Sequence, residues 1–206
     1  MGVVAGFVGC ECEDIAVYLS KIFAALGKRV AIVDRTEQEI LLEMFQVQNR
    51  RDKEVKEADC HGVFFTNQAV CYESYDIVFL LFGYRLLHPK LYECEFLIMV
   101  TDGMPAHASL LSKIGNWDRK QYLVIRNLVP MKHTEKYLKT LANHETDYEE
   151  IPYEEQDIRM KYSLGSYENC IIKKLSGRMK QSLISLVKFL SEEYQESNIR
   201  EMMKKL

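Results

Sequence analysis

The stretch at residues 3–36, VVAGFVGCECEDIAVYLSKIFAALGKRVAIVDRT, decides the fold. It opens on an apolar run that stops at Gly9-Cys10-Glu11, which predicts a buried strand feeding a tight loop. From residue 13 the hydrophobic period changes. Ile15, Leu19, Ile22, Phe23 and Leu26 recur at helical spacing and lay one apolar stripe along a helix over 13–26. Gly27 stands where a left-handed C-terminal cap is needed, with Lys28 and Arg29 near the negative end of the helix dipole. A second apolar run then ends on Asp34. The unit reads strand, glycine loop, amphipathic helix, strand.

The same alternation continues outward. Strands are predicted at 2–9, 29–34, 62–66, 76–82, 94–101 and 120–128, and helices at 13–26, 37–49, 105–115, 134–143 and 176–195. The first, second, fourth and fifth strands are apolar at both alternating sets of positions, as strands covered on both sides by helices must be. This predicts an α/β fold: a doubly wound, mostly parallel sheet with right-handed crossovers and helices on both faces. The charged segment at 49–59 reads as an exposed connection within one domain, residues 1–196, followed by a tail at 197–206.

Bulk composition narrows the class. A chain of 206 residues that is 48% hydrophobic can bury one sizeable core. Its net charge of −3 gives no electrostatic case for a nucleic-acid partner. No apolar run approaches the roughly 20 residues of a membrane span, and the N-terminal residues lack a secretory leader pattern. Cysteines 10, 12, 60, 71, 94 and 170 lack the dense spacing of a disulfide scaffold, so a reducing, cytoplasmic setting is expected.

These pieces together resemble the MinD/ParA group of deviant Walker A ATPases, including the TadZ-like pilus localisation proteins. Those chains read strand, GKGGVGKT, helix, GK, strand, D. Laid on without a gap, Gly6 takes the first loop glycine, Gly27-Lys28 the GK turn and Asp34 the closing aspartate. YDIVFLLFG at 75–83 is similar to the Walker B segment, and CEFLIMVTDGMPAHASLLSKI at 94–114 to the next strand and helix. YLVIRNLV at 122–129 is similar to the strand beside the base pocket. EEIPYEEQDIRMKYSLGS at 149–166 follows the pattern around the family's IP turn. The resemblance implies a P-loop NTPase-like fold over nearly the whole chain.

The loop departs from the family in charge. A phosphate loop works because backbone N–H groups and a helix N-terminus cradle the phosphates, a lysine neutralises them and a hydroxyl holds magnesium. Here the signature lysine position is Phe7, the close-approach glycine is Glu11, the Walker lysine is Cys12 and the Ser/Thr is Glu13. The Walker B aspartate position is Leu81. Gly6, Gly9, Cys10 and Asp14 complete this degenerate loop. A triphosphate beside Glu11, Glu13 and Asp14 would face like charges at about 4 kcal/mol per close pair at an effective dielectric near 20. The same carboxylates suit a helix N-terminus, so the loop is expected to be occupied by its own side chains.

The resemblance implies a pseudo-ATPase that localises or assembles other components, in a pilus, secretion or cell-positioning system, with no cofactor. The alternative is an atypical ATP·Mg-binding relative with a rebuilt site, in which Asp34, Asn127 (or Arg126) and Pro152 fall at residual nucleotide positions. Self-dimerisation or a protein partner is expected on the face formed by residues 7–14, 34–38 and 102–106.

Other features read more simply. Cys10-x-Cys12 lacks a matching second ligand pair, so no metal is expected. His61, His88, His107, His133 and His144 are scattered, and Asp102-Gly103 reads as a turn at the carboxyl end of a strand. In the tail, Ile199, Met202, Met203 and Leu206 fall at i, i+3, i+4 and i+7 among basic residues. They form an amphipathic stripe for weak contact with an anionic membrane, or for packing on the domain or a partner.

Overall fold

The change of period at residue 13 is where the chain turns from strand to helix. In the computed structural model, β1 (Val3–Gly9) leads into α1 (Glu13–Ala25) and then β2 (Val30–Asp34). The structure describes residues 2–39, 41–42, 57–60, 62–114, 118–129, 147–165 and 170–206. Most of the expected helix at 37–49, all of that at 134–143, and His61, His133 and His144 lie outside the described residues.

The described strands continue with β3 (Glu57–Cys60), β4 (Val63–Thr66), β5 (Ile77–Gly83), β6 (Phe96–Thr101), β7 (Lys120–Leu128) and β8 (Asp147–Pro152). They form one sheet in the order β3-β4-β2-β5-β1-β6-β7-β8. Every pairing is parallel except β3 with β4. The described helices after α1 are α2 (Pro105–Leu111), α3 (Glu155–Tyr162), α4 (Gly177–Leu190) and α5 (Glu196–Lys205).

Alternation along β1 shows how the two faces are built. Ala5 and Phe7 point into a core with the apolar faces of α1, α4 and α5, while Val4 and Val8 join a second core with Ala108 and Leu111 of α2. Gly27 adopts φ +85° after α1. Its N–H bonds the carbonyl of Ala24, and that of Lys28 bonds Phe23, so a Schellman cap ends the helix.

Two expectations change here, and one alternative is settled. Residues 57–59, read as exposed connection, start an edge strand whose pairing to β4 alternates between exposed and half-buried positions. β8, unpredicted, is a second edge strand, polar because only one side is paired. The tail's stripe packs inward, the domain-packing alternative: Ile199 and Met203 are buried in the α1–α4 core and Leu206 packs against it. The apolar stripe of 197–206 is therefore used by the domain itself, leaving Met202 half-buried. No described helix is long and apolar enough to cross a membrane.

Candidate functional site

The carboxyl ends of β1, β2, β5 and β6 converge because parallel register brings Asp34 and Phe7 beside Leu81 and Gly9 beside Val100. A groove of about 360 Å³ opens there, lined among others by Cys10, Glu11, Glu13, Thr36, Tyr84 and Arg85. Open α/β sheets place sites at such a crevice. Gly9 makes the turn possible. It adopts φ +106°, and a Cβ there would stand 1.9 Å from the Val100 carbonyl oxygen.

Beyond Gly9 the loop is filled by its own charges. The Asp14 carboxylate, fully buried, receives two bonds from the Arg126 guanidinium: Nη1 to Oδ1 at 2.6 Å and Nη2 to Oδ2 at 2.7 Å. Arg126 Nη1 also donates to the carbonyl of Glu11. Burial works against the Arg126 charge, but the adjoining Asp14 carboxylate outweighs it and pushes the pKa up. Glu11 reaches away from the loop, its Oε1 2.8 Å from Lys161 Nζ and its Oε2 accepting from Asn127 Nδ2 at 3.1 Å. At the helix end, Cys12 is the N-cap without a side-chain bond, and Asp14 Oδ1 accepts from the Ile15 N–H.

This arrangement corrects the electrostatic argument from sequence. Arg126 and Lys161 compensate Asp14 and Glu11, so simple like-charge repulsion is smaller than the loop composition suggests. The two cations are themselves engaged by carboxylates, Arg126 by Asp14 and Lys161 by Glu11, and breaking a buried ion pair is costly. Burial pushes the Glu13 carboxyl up, with Asp14 and Asp34 adding to the effect. Glu11 itself sits at φ +51°, a left-handed backbone that a glycine adopts freely and a glutamate does not.

The other sequence positions divide clearly. Phe7 packs edge-on against Phe79, with ring centroids 5.3 Å apart, and Cys12 and Leu81 are buried in the same core. Gly6 lies inside β1, where Cys94 and Leu91 crowd its missing side chain. Asp34 is turned inward: Oδ1 accepts from the Thr36 N–H and hydroxyl, Oδ2 from the Leu41 N–H. Asn127 is bonded to Glu11, and Pro152 ends β8 opposite Leu128.

Sequence reading separated Cys10 from its neighbours in space. Cys10 and Cys12 point to different places, the first into the groove and the second into the core. Cys10 converges instead with Asp102 and His107, their ligand atoms all within 4.8 Å of one another. Burial pushes the Cys10 thiol up to about 11, with Asp102 adding to it and a hydrogen bond from Tyr84 opposing it. His88, by contrast, is a local cap whose Nδ1 accepts from the Lys90 N–H. Arg126 carried a readable signal, a lone cation inside an apolar strand that needs a buried partner. Lys161 had none.

No family profile and no curated protein matches the sequence. Solved structures do. A putative plasmid partition protein from Borrelia burgdorferi B31, bound to AMPPNP, superposes with a TM-score of 0.61 at 11% identity, covering 100% of both chains. A ParA family ATPase from Chlorobium tepidum TLS gives 0.54 at 12% identity, over 99% of this chain and 96% of that one. Apo McdA from Cyanthece gives 0.54 at 7% identity, over 98% and 100%. At these identities the likeness establishes the fold alone, a mostly parallel α/β sheet like that of these ParA-family and partition-protein structures.

Proposed function

We propose that this chain is a pseudo-ATPase: a ParA/MinD-type scaffold that has exchanged nucleotide chemistry for a fixed loop. The observation that supports this reading is the buried Arg126–Asp14 pair, which ties the start of α1 to β7. The replacements at the family's functional positions support it: Cys12 stands for the lysine, Glu13 for the hydroxyl residue and Leu81 for the aspartate. The role that follows is localisation or assembly of other components in a positioning, pilus or secretion system. Self-association or partner binding would use the strand-end face, and it would not depend on ATP.

Isothermal titration with ATP and Mg²⁺, paired with light scattering with and without nucleotide, tests this directly. We expect no binding heat and an unchanged mass. Micromolar binding would overturn the reading. A second reading, a rebuilt ATP site, has one observation in its favour: Lys161 and Arg126 bring two cations to the loop. Lys161 is partly exposed and could exchange Glu11 for a phosphate. Under that reading ATP binds, and Lys161→Ala abolishes the binding.

A further inference from the structure

From the convergence of Cys10, Asp102 and His107 we infer a zinc site at the carboxyl ends of β1 and β6, independent of any nucleotide chemistry. The three residues supply a thiol, a carboxylate and an imidazole with ligand atoms within 4.8 Å of one another. That mixture suits zinc and other borderline transition metals, and its sulfur disfavours magnesium and calcium.

The topology explains why the site exists. β1 and β6 are hydrogen-bonded neighbours, and the Cys10 N–H bonds the Val100 carbonyl at 3.0 Å, so the residue after β1 meets the turn after β6. That turn is ordered. Asp102 Oδ1 accepts from the Met104 N–H at 2.8 Å, and α2 then presents His107 one turn later. Asp102 Oδ1 and His107 Nδ1 are 2.9 Å apart and share one proton between two facing lone pairs.

A metal ion takes the place of that proton. Ligands at about 2.1 Å in tetrahedral geometry require the two atoms to part to about 3.4 Å, a shift of roughly half an ångström. The imidazole keeps one proton by carrying it on Nε2, while the Cys10 thiol releases its proton to solvent. Binding therefore liberates one proton per metal. Tyr84 supports the arrangement from above, its ring 5.7 Å from that of His107 and its hydroxyl bonded to the thiol. Cys10 also lines the groove, which gives the metal an entry path and leaves a fourth position for water or a group from a partner.

Tag-free, reduced full-length protein should be titrated with zinc against a chromophoric chelator, and with cobalt(II) to read thiolate-to-metal charge transfer. We expect one equivalent bound and a sulfur-to-cobalt band. Cys10→Ser, Asp102→Asn and His107→Gln should each weaken zinc at least tenfold, while Cys71→Ser, at an exposed thiol, should not. A variant that misfolds is replaced by a measurement on the unaltered chain: stoichiometric zinc should protect Cys10 from alkylation, located by peptide mass spectrometry. Absence of stoichiometric binding, equal binding by Cys10→Ser, or alkylation of Cys10 at an undiminished rate would each overturn the assignment.

Discussion

Replacing Arg126 by methionine offers the sharpest test of how the loop is held. The substitution keeps a long apolar stem and removes the charge. It leaves the Asp14 carboxylate, at 0% exposure, with no counter-ion beside a vacated guanidinium whose side chain was 1% exposed. Breaking one side of such a pair costs about 3–5 kcal/mol. For a chain of this size that is a fall in Tm of roughly 6–20 °C, taking about 2–4 °C per kcal/mol. The double variant Arg126→Met/Asp14→Leu removes both charges. It should recover at least half the loss, with about 1 kcal/mol still missing for each hydrogen bond to the Glu11 carbonyl and the Ile15 amide. Urea denaturation of the four proteins gives the cycle, and a coupling of at least about 2 kcal/mol is expected. Repeating it at high salt should change little, since a buried pair is poorly screened. Strict additivity, with the double as unstable as the two singles summed, would refute the reasoning.

Gly9→Ala should fail to fold stably, because its Cβ would collide with backbone at Val100 and no flexible side chain can yield; expression with soluble recovery and circular dichroism check this. Glu13→Gln should raise Tm near neutral pH. Burial lifts the folded Glu13 pKa above its unfolded value, so stability falls as pH rises through that window and the charge is a net cost above it. The advantage of the variant should vanish when pH drops below the unfolded carboxylate range, as thermal melts across pH will show. Ile199→Asp should destabilise the whole domain by several kcal/mol, on the order of 3 or more, by placing a carboxylate among α1 and α4 side chains. A melt unchanged by that substitution would restore the free-tail interpretation.

Much of the fold was legible because the period of the apolar residues is so clear. The change from the 3–9 run to the Ile15–Leu19–Ile22 stripe fixed the first strand–helix boundary to within a residue, and Gly27 marked its end. The two edge strands were hidden because Glu57–Cys60 and Asp147–Pro152 are paired or buried on too little of their surface to need an apolar pattern. At the positions matched to the family's lysines and Walker B aspartate, the sequence offers Phe7, Cys12 and Leu81, and the structure buries all three in the core. What pairs with the loop's carboxylates was not legible. Local sequence presents Glu11 and Asp14 as bare negative charge, and their partners come from β7 and α3, more than 100 positions away. The cluster of Cys10 with Asp102 and His107 depends likewise on the neighbouring places of β1 and β6 in the strand order.

That Arg126 lies 112 residues from Asp14 bears on the order of assembly during folding. Contacts so distant along the chain carry a large closure entropy and form after local ones. In this protein the turn following β1 acquires its final shape only once the seventh strand has docked. Its ordering thus reports completion of the sheet, making the glycine loop a late-setting keystone whose timing could be followed by hydrogen exchange at residues 10–15.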